Sequence, residues 1–368
     1  MSRRDLVLGG LLALAGLGAT AVAAELILTI RPLPAVEAHR RGPVRGEAAR
    51  FYRHDPELGW AGRPGARGPL GGWEFESEVV LNARGFRDAE VPATKPPATH
   101  RVVVLGDSIT WGLGVDRGER YPDLLAARLA SRGLAVEVVN LGVTGYGTDQ
   151  EYLLFRREGR RYCADLVLLG AYENDARENA AAVQGRYPKP YFRRAPGGAL
   201  VLENVPVPRI EGWDARAPAP PAGLRAWLRR HLRLYAAGAF LREEARRRLA
   251  PAAPPARPAD PPEAVELTAA LIRGLADEVA RAGARFAVVV LPDLYYSAVT
   301  MHAATRSGVE QVLDLTPAFR GRARAGERLF YGLDGAHWTP PAHAMAAADI
   351  AAFVARAGLL SRPPRACA

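Results

Sequence analysis

Cysteine is scarce in this sequence: Cys163 and Cys367 are the two present among 368 residues. Two cysteines so far apart are too few for a zinc site or a disulfide framework. Two free thiols are therefore the simpler expectation, although an exported chain could pair them. The sequence also has no internal repeat and no RNP, zinc-finger or helix-turn-helix motif, so we predict no nucleic-acid partner.

Acidic residues are outnumbered by basic ones: 39 Asp and Glu stand against 49 Lys and Arg, a formal net charge of +10 at pH 7. Nearly all of the positive charge comes from arginine in a background rich in Ala and Pro, which indicates compositional bias rather than a nucleic-acid surface. A charge of this sign favours anionic neighbours such as lipid headgroups. Hydrophobic residues at 49% and charged residues at 24% are ordinary for a globular protein and exclude wholesale disorder.

Residues 1–30 begin with Arg3-Arg4 and continue as an apolar run from Leu6 to Ala24. About 20 apolar residues suffice to span a bilayer as a helix. Two interpretations stay open: a cleaved signal peptide of the twin-arginine type, with a small-residue site at Ala21-Val22-Ala23, or an uncleaved membrane anchor. More arginines follow the segment than precede it, which permits the reverse orientation, with the body in the cytoplasm. We favour export, and therefore expect a membrane-anchored, periplasmic or extracellular bacterial protein that meets the membrane through this segment.

The rest of the chain divides into a cap region and a larger α/β domain. Residues 31–99 are rich in Pro, Gly and Arg and predict a linker followed by a small irregular cap. Over residues 100–360, short β-branched runs alternate with helical segments, which predicts a parallel sheet covered by helices on both faces. An insertion is expected at about 185–262, and 361–368 form a tail. The predicted strands are Arg101–Gly106, Ala135–Leu141, Asp165–Gly170, Arg285–Leu291 and Gln311–Leu315. The predicted helices are Tyr121–Arg132, Asp149–Arg160, Glu263–Ala282 and about Pro341–Ala357.

Within the insertion, Leu224–Leu249 predicts one long amphipathic helix studded with arginine. The simpler interpretation is a solvated basic face beside an apolar stripe that includes Leu224 and Trp227. The sharper alternative is a helix that lies on a membrane surface, which would suit an anchored protein.

Polar residues follow the predicted strands at the points where the strands end. The blocks are Gly106-Asp107-Ser108, Asn140–Gly147, Gly170–Asp175 and, just before the last helix, Asp334 with His337. Each block alone is explained as well by a turn or a helix cap. Ligands bind at the carboxyl ends of the strands in such sheets, so the four blocks in this order indicate one site.

These four blocks resemble those of the SGNH hydrolases, also called GDSL esterases and lipases. The resemblance covers about Arg101–Asp175 and Phe286–Val354, with a long insertion between them. It implies a flavodoxin-like three-layer α/β/α fold. The chain departs from the family pattern at Glu173, where a small residue often precedes the asparagine, and at Ala342-His343, where Gly-His is common.

Acyl-transfer chemistry assigns a role to each matching residue. The Ser108 hydroxyl is a poor nucleophile at neutral pH and needs a base, for which His337 is the candidate. Asp334, three residues earlier, can bond the other ring nitrogen and hold the tautomer. In the family's pattern the oxyanion hole is formed by the backbone N–H groups of Ser108 and Gly145 and by the side-chain amide of Asn174.

The sequence thus predicts a serine esterase that cleaves small acyl esters, with O-acetyl groups of a carbohydrate or cell-envelope glycan as the best substrate interpretation. No cofactor and no metal are expected. The alternatives are an acyltransferase that O-acetylates an exported polysaccharide, a lipase or lysophospholipase, and a non-catalytic binding protein on the same fold. The oligomeric state stays open.

Other residues near these blocks have simpler roles. His343 is expected to cap or pack the last helix rather than to take part in catalysis. His302, Tyr295 and Tyr296 follow a strand and are weaker candidates for lining the pocket. A group of aromatic residues forms either a sugar-stacking wall or the insertion's own small core: Tyr172, Tyr187, Tyr191 and Trp213.

Overall fold

The computed structural model describes residues 3–41, 50–72, 74–211, 223–249, 261–293, 298–332 and 337–367. The chain forms two compact units. One comprises residues 1–45, 71–75 and 218–257, and the other comprises residues 46–70, 76–217 and 258–368.

The elements are named in chain order. The helices are α1 (Arg3–Ile30), α2 (Pro34–Arg41), α3 (Ser108–Trp111), α4 (Tyr121–Ala130), α5 (Thr148–Arg157), α6 (Asp175–Asn179), α7 (Leu224–His231), α8 (Arg233–Leu249), α9 (Pro262–Arg281), α10 (Val299–Ser307), α11 (Thr316–Arg324) and α12 (Pro340–Arg356). The strands are β1 (Tyr52–Asp55), β2 (Gly59–Gly62), β3 (Arg67–Gly71), β4 (Glu76–Val80), β5 (His100–Gly106), β6 (Val136–Asn140), β7 (Leu166–Ala171), β8 (Val183–Gln184), β9 (Tyr187–Pro188), β10 (Tyr191–Arg194), β11 (Leu200–Glu203), β12 (Arg285–Val290) and β13 (Val312–Asp314).

The larger unit is built on a five-stranded sheet with the order β13-β12-β7-β5-β6. Every neighbouring pair in it is parallel, and the central strands are aligned so that Val104 lies opposite Leu168 on one side and Asn140 on the other. In chain order this is the 2-1-3-4-5 arrangement of flavodoxin-like sheets, whose strand order reverses between the first and third strands, here β5 and β7. The predicted parallel sheet is confirmed, with each strand within two residues of its expected bounds.

Helices cover both faces of this sheet. Side chains alternate along β5, so Val102 and Val104 point to one face and Val103 and Leu105 to the other, and all four are fully buried. The first pair belongs to a core shared with residues of α4 and α12. On the other face, α5 packs against β5 and α9 packs against β12, and the two helices contact each other. A strand buried on both faces explains why β5 reads as a continuous apolar run.

The region expected to be an irregular cap contains two small two-stranded sheets, the antiparallel pair β1-β2 and the pair β3-β4. Asp55 pairs with Arg157 of α5 at 2.9 Å, and the backbone oxygen of Leu58 accepts a hydrogen bond from Gln150 of the same helix at 2.7 Å. The β1-β2 segment is therefore attached to α5, directly beyond the loop that follows β6.

The two cysteines form a disulfide between Cys163 and Cys367, with their Cα atoms 6.1 Å apart. The expectation of two free thiols is wrong. The tail expected at 361–368 returns to the start of β7, where the backbone N–H of Arg365 donates to Asp165 at 2.7 Å. The disulfide brings together residues 204 positions apart, which spacing along the chain does not reveal.

The smaller unit contains α1, α2, α7 and α8. The stretch Val7–Ile30 of α1 is long and apolar enough to cross a membrane, judged by length and composition, and none of it is buried. The single helix expected at Leu224–Leu249 is instead two helices, because Leu232 adopts an extended conformation between them. The α8 helix starts afresh after this break, where Glu25 of α1 accepts hydrogen bonds from the Arg233 and Leu234 backbone N–H groups.

Candidate active site

Three loops meet where β6, β5 and β7 end side by side. Val143 extends the pairing beyond β6, since its backbone N–H donates to the Gly106 oxygen at 3.0 Å. Gly106 in turn lies opposite Gly170 of β7. The ends of β5 and β7 flank the point where strand order reverses, which is where open parallel sheets bind ligands. The sheet therefore brings the first three blocks of polar residues to one edge, as expected.

Ser108 is the first residue of the short helix α3, directly after β5. The carboxylate of Asp107 caps this helix by accepting the backbone N–H of Ile109 at 2.9 Å. A Cβ atom on Gly106 would collide with the side chain of Thr110, so this tight turn requires glycine. The Ser108 Oγ lies 2.8 Å from Nε2 of His337, across 229 positions of sequence.

His337 lies in the segment just before α12 and reaches Ser108 from there. An isolated antiparallel bridge joins Phe330 to Trp338, and the backbone N–H of Tyr331 donates to the His337 oxygen at 3.0 Å. The Trp338 indole donates to the backbone oxygen of Pro292 at 3.0 Å, which attaches this segment to the loop after β12. Asp334 lies outside the described residues, so its expected bond to the imidazole stays a prediction.

Gly145 and Asn174 stand on the two loops that flank Ser108. Gly145 adopts a φ of +74°, in the left-handed region that favours glycine. The Trp60 indole supports its loop by donating to the Thr144 oxygen at 3.1 Å. The four candidate residues are half-buried, whereas most of their neighbours are buried: Ser108, Gly145, Asn174 and His337. The four residues named from sequence are thus accessible to a small ligand.

A carboxylate that the sequence reasoning missed binds two side-chain amides beside this site. Glu178 accepts from Nδ2 of Asn174 at 2.7 Å and from Nε2 of Gln184 at 2.9 Å. A Cβ atom on Gly145 would lie 3.4 Å from that same Gln184 nitrogen, so Gln184 lies against Gly145. Burial raises the pKa of Glu178 to about 7, against the opposing effect of the two amide donors. The signal available in the sequence was the four-residue spacing from Asn174 to Glu178, one helical turn.

More acidic side chains are buried beneath the strand ends. Burial raises the pKa of Asp107 to about 6, although the Ile109 N–H opposes the shift. The pKa values of Glu151 and Asp175 lie well above the ordinary range, because both groups are fully buried and face other acids. Another buried acid, Asp149, forms an ion pair with Lys189, which is fully buried too. Within the ranges described, no group of three or more His, Cys, Asp or Glu side chains is placed to hold a metal ion.

The remaining candidates lie in different surroundings. His343 is buried and its Nδ1 accepts the backbone N–H of Tyr121 at 3.2 Å, which confirms a packing role. Burial lowers its pKa to about 3, so the ring stays neutral.

Tyr187 packs against Trp60, with ring centroids 6.3 Å apart, whereas Tyr191 donates to Glu203 within the β10-β11 hairpin. His302 is exposed on α10, and Tyr172 is buried. Trp213, Tyr295 and Tyr296 lie outside the described residues.

Known proteins resemble this chain at the level of family and fold. The model of the GDSL-like lipase/acylhydrolase family matches residues 104–345. An acetyl xylan esterase, AlAXEase, is 13% identical, with 69% of this chain and 99% of that chain covered and a TM-score of 0.39. The psychrotrophic esterase EstA from Pseudoalteromonas sp. is 11% identical, with 72% and 100% covered and a TM-score of 0.39. A two-domain esterase active on acetylated mannans is 10% identical, with 73% and 52% covered and a TM-score of 0.41. No curated protein matches the sequence.

Proposed function

Because the chain belongs to the GDSL-like lipase/acylhydrolase family and is an ester hydrolase, we propose that it cleaves small acyl esters through an acyl-serine intermediate on Ser108. The observation that carries the proposal is the 2.8 Å contact between Ser108 Oγ and His337 Nε2. This distance is within the reach that a general base needs to take the serine proton.

In the proposed reaction, His337 removes the Ser108 proton while Oγ attacks the ester carbonyl carbon. The tetrahedral intermediate collapses when the carbon–oxygen bond to the alcohol breaks, and the imidazolium returns its proton to that leaving oxygen. Water then attacks the acyl-serine with His337 again acting as base, which releases the acid and regenerates Ser108. Asp334 is assigned to the second ring nitrogen, where it would hold the tautomer that presents a free Nε2 to Ser108.

The oxyanion of the intermediate is assigned to the backbone N–H groups of Ser108 and Gly145 and to the amide of Asn174. An amide nitrogen carries two hydrogens, and Asn174 Nδ2 gives one of them to Glu178. The other hydrogen remains for the oxyanion, so Glu178 acts as a positioning residue that holds the amide for this purpose. Donors that are oriented before the reaction contribute far more than donors that must reorganise.

The substrate class that we propose is an O-acetylated carbohydrate or cell-envelope glycan. Export of the chain supports this class, and two features support export: the apolar helix α1 and the Cys163–Cys367 disulfide. Disulfides persist in oxidising compartments outside the cytoplasm. Beside Gly145, the half-buried ring of Tyr187 packs on the buried Trp60 and supplies aromatic surface of the kind on which sugar rings stack.

The test is hydrolysis of p-nitrophenyl acetate, butyrate and octanoate by the full chain and by Ser108→Ala. The matched control is Ser131→Ala, because Ser131 is exposed at the far end of α4 and donates to the Arg128 backbone oxygen there. We expect Ser108→Ala to lose about 10⁴-fold or more in kcat and the control to keep the parent rate. A Ser108→Ala variant that retains the parent rate would refute the assignment.

Product analysis separates the remaining interpretations. Preference for the acetyl ester supports the small-acyl proposal, and preference for octanoate indicates a lipase. An acetyl group that moves from the serine to an added oligosaccharide faster than to water indicates an acyltransferase. A folded parent protein that hydrolyses no ester would favour a binding role.

A further inference from the structure

The apolar helix α1 is bonded to the insertion helix α8 through Glu25 and Thr29. Glu25, the one acidic residue in the second half of α1, accepts the backbone N–H of Arg233 at 2.8 Å and that of Leu234 at 2.7 Å. Free backbone N–H groups at a helix start favour a negative charge, so this carboxylate caps α8. The Arg233 side chain also donates to Thr29 of α1, at 3.2 Å. The start of α8 is therefore held at the level of Glu25 on the helix α1.

The length of the apolar run that precedes Glu25 places that level at the surface of a bilayer. At about 1.5 Å per residue, Leu6–Ala24 is about 28 Å long, close to the hydrocarbon thickness of about 30 Å. A charged carboxylate inside hydrocarbon is costly, so Glu25 belongs at the boundary rather than deeper. Since Glu25 caps α8, the break at Leu232 lies at this boundary too.

The preceding helix α7 is held at the same level. Arg40 of α2 donates from Nε and from its terminal nitrogen to the Arg230 backbone oxygen, at 3.0 and 2.8 Å. Helix α2 begins only four residues after α1 ends. The apolar side chains of α7 are nonetheless uncovered, with Leu224 71% and Trp227 54% exposed. Basic residues fill its last turn: Arg229, Arg230 and His231.

We propose that α7 and the first turn of α8 lie on the bilayer that α1 spans, with Leu224 and Trp227 among the lipid headgroups and the neighbouring arginines on lipid phosphates. Amphipathic helices of this composition, with Trp and Leu on one face and Arg on the other, bind in the plane of the membrane interface. The solvated-face interpretation leaves the exposure of Trp227 unexplained. The inference rests on α1 being retained as an anchor and is independent of the esterase chemistry.

The experiment uses the full chain in vesicles of phosphatidylcholine with phosphatidylglycerol. An environment-sensitive NBD label is attached to a single cysteine in Trp227→Cys, while the native disulfide occupies the other two cysteines. The control is Leu202→Cys, an exposed apolar position on β11 of the larger unit, and Leu12→Cys reports insertion of α1. Quenching by lipids that carry a spin label at the headgroup, or deep in the acyl chain, locates each label.

We expect the label at 227 to shift its emission to the blue and to be quenched from the headgroup region. The label at 12 should be quenched from the acyl region, and the label at 202 should emit as in water. A label at 227 that also emits as in water would overturn the proposal, as would a label at 12 that lipid does not quench. Shielding of position 227 that persists without lipid and grows with protein concentration would indicate a second copy on this face, which also overturns it.

A second variant tests the role of the arginines. In Arg229→Gln/Arg230→Gln, we expect the surface-bound fraction of the 227 label to fall about fivefold or more per arginine on anionic vesicles, and little on phosphatidylcholine alone. If the surface-bound fraction of the label is the same for the variant and its parent on both kinds of vesicle, the arginines do not bind lipid phosphates and that part of the proposal is wrong. Ester hydrolysis, measured on the same samples in detergent, should be unchanged.

Discussion

The carboxylate of Glu178 offers the sharpest test of how the proposed oxyanion hole is held. Glu178→Gln keeps the shape of the side chain but replaces one acceptor oxygen by an N–H donor. Since Glu178 accepts from both Asn174 and Gln184, one of the two amides must then face another donor. The neighbouring charged groups, which include Asp107, Arg177 and the Lys189 that donates to the Glu178 backbone oxygen, stay in place.

The magnitude follows from what Asn174 does in the proposed reaction. Loss of one preorganised oxyanion donor costs about 10²- to 10³-fold in kcat. A hydrogen bond to a charged group stabilises its geometry by about 1.5–3 kcal/mol, which corresponds to roughly a 10- to 150-fold loss of the correct orientation. We therefore expect Glu178→Gln to lower kcat by about 10- to 1000-fold. KM should change little, because the Asn174 donor acts on the charge that develops in the transition state.

The pH profile separates this role from a purely structural one. The pKa of Glu178 is raised to about 7 by burial, and protonation turns one of its oxygens into a hydroxyl, which donates and is a much weaker acceptor for an amide hydrogen. Activity of the parent should therefore fall with decreasing pH more steeply than that of Glu178→Gln, in which this group no longer ionises. The slope of log kcat/KM against pH on the acid side should be steeper for the parent than for Glu178→Gln.

The assay is p-nitrophenyl acetate hydrolysis across this pH range, with circular dichroism to establish folding. Glu310→Gln is the matched control. Glu310 is exposed and precedes the edge strand β13, whereas the site lies where β5 and β7 end. Gln184→Met keeps the first hydrogen bond and removes the second, so it should cost less than Glu178→Gln. A Glu178→Gln enzyme with the parent kcat and the parent acid slope would refute the positioning role.

Three further predictions follow from the same structure. Gly145→Ala should lower kcat at least tenfold in the same assay, because a side chain at φ +74° strains the backbone and meets Gln184; an active, unchanged variant would contradict this. Reduction of the Cys163–Cys367 disulfide, which closes a loop of 204 residues, should lower the free energy of unfolding by up to about 5 kcal/mol, measured by urea titration with and without dithiothreitol. Raised pKa values at Glu151 and its neighbours mean that the folded state binds more protons than the unfolded state above about pH 4.5. The Tm measured by calorimetry should therefore fall as pH rises from 5 to 8, and Glu151→Gln should make this fall less steep. If the Tm of the variant and that of the parent fall equally with pH, Glu151 is not the cause of the pH dependence.

Much of the larger unit can be predicted from sequence because its signals are local. Strands β5 and β7 are buried on both faces, so each reads as a short apolar run that ends in polar residues. The order of those runs and of the helices between them predicts a parallel sheet, and a parallel sheet brings its carboxyl ends to one edge. Ser108 and His337 could be paired in advance for this reason, although 229 positions separate them.

What sequence reasoning missed depends on contacts that no local pattern encodes. The Cys163–Cys367 bond forms because the tail folds back to Asp165, and the break at Leu232 forms where Glu25 of a distant helix caps α8. The pairing of Asn174 and Gln184 on Glu178 likewise needs a hairpin to return beside the sheet edge. Periodicity and strand-end chemistry thus determined the sheet and placed Ser108 at its carboxyl edge. The tertiary structure alone decided which distant side chains complete the site, because burial and hydrogen bonding act between neighbours in space rather than in sequence.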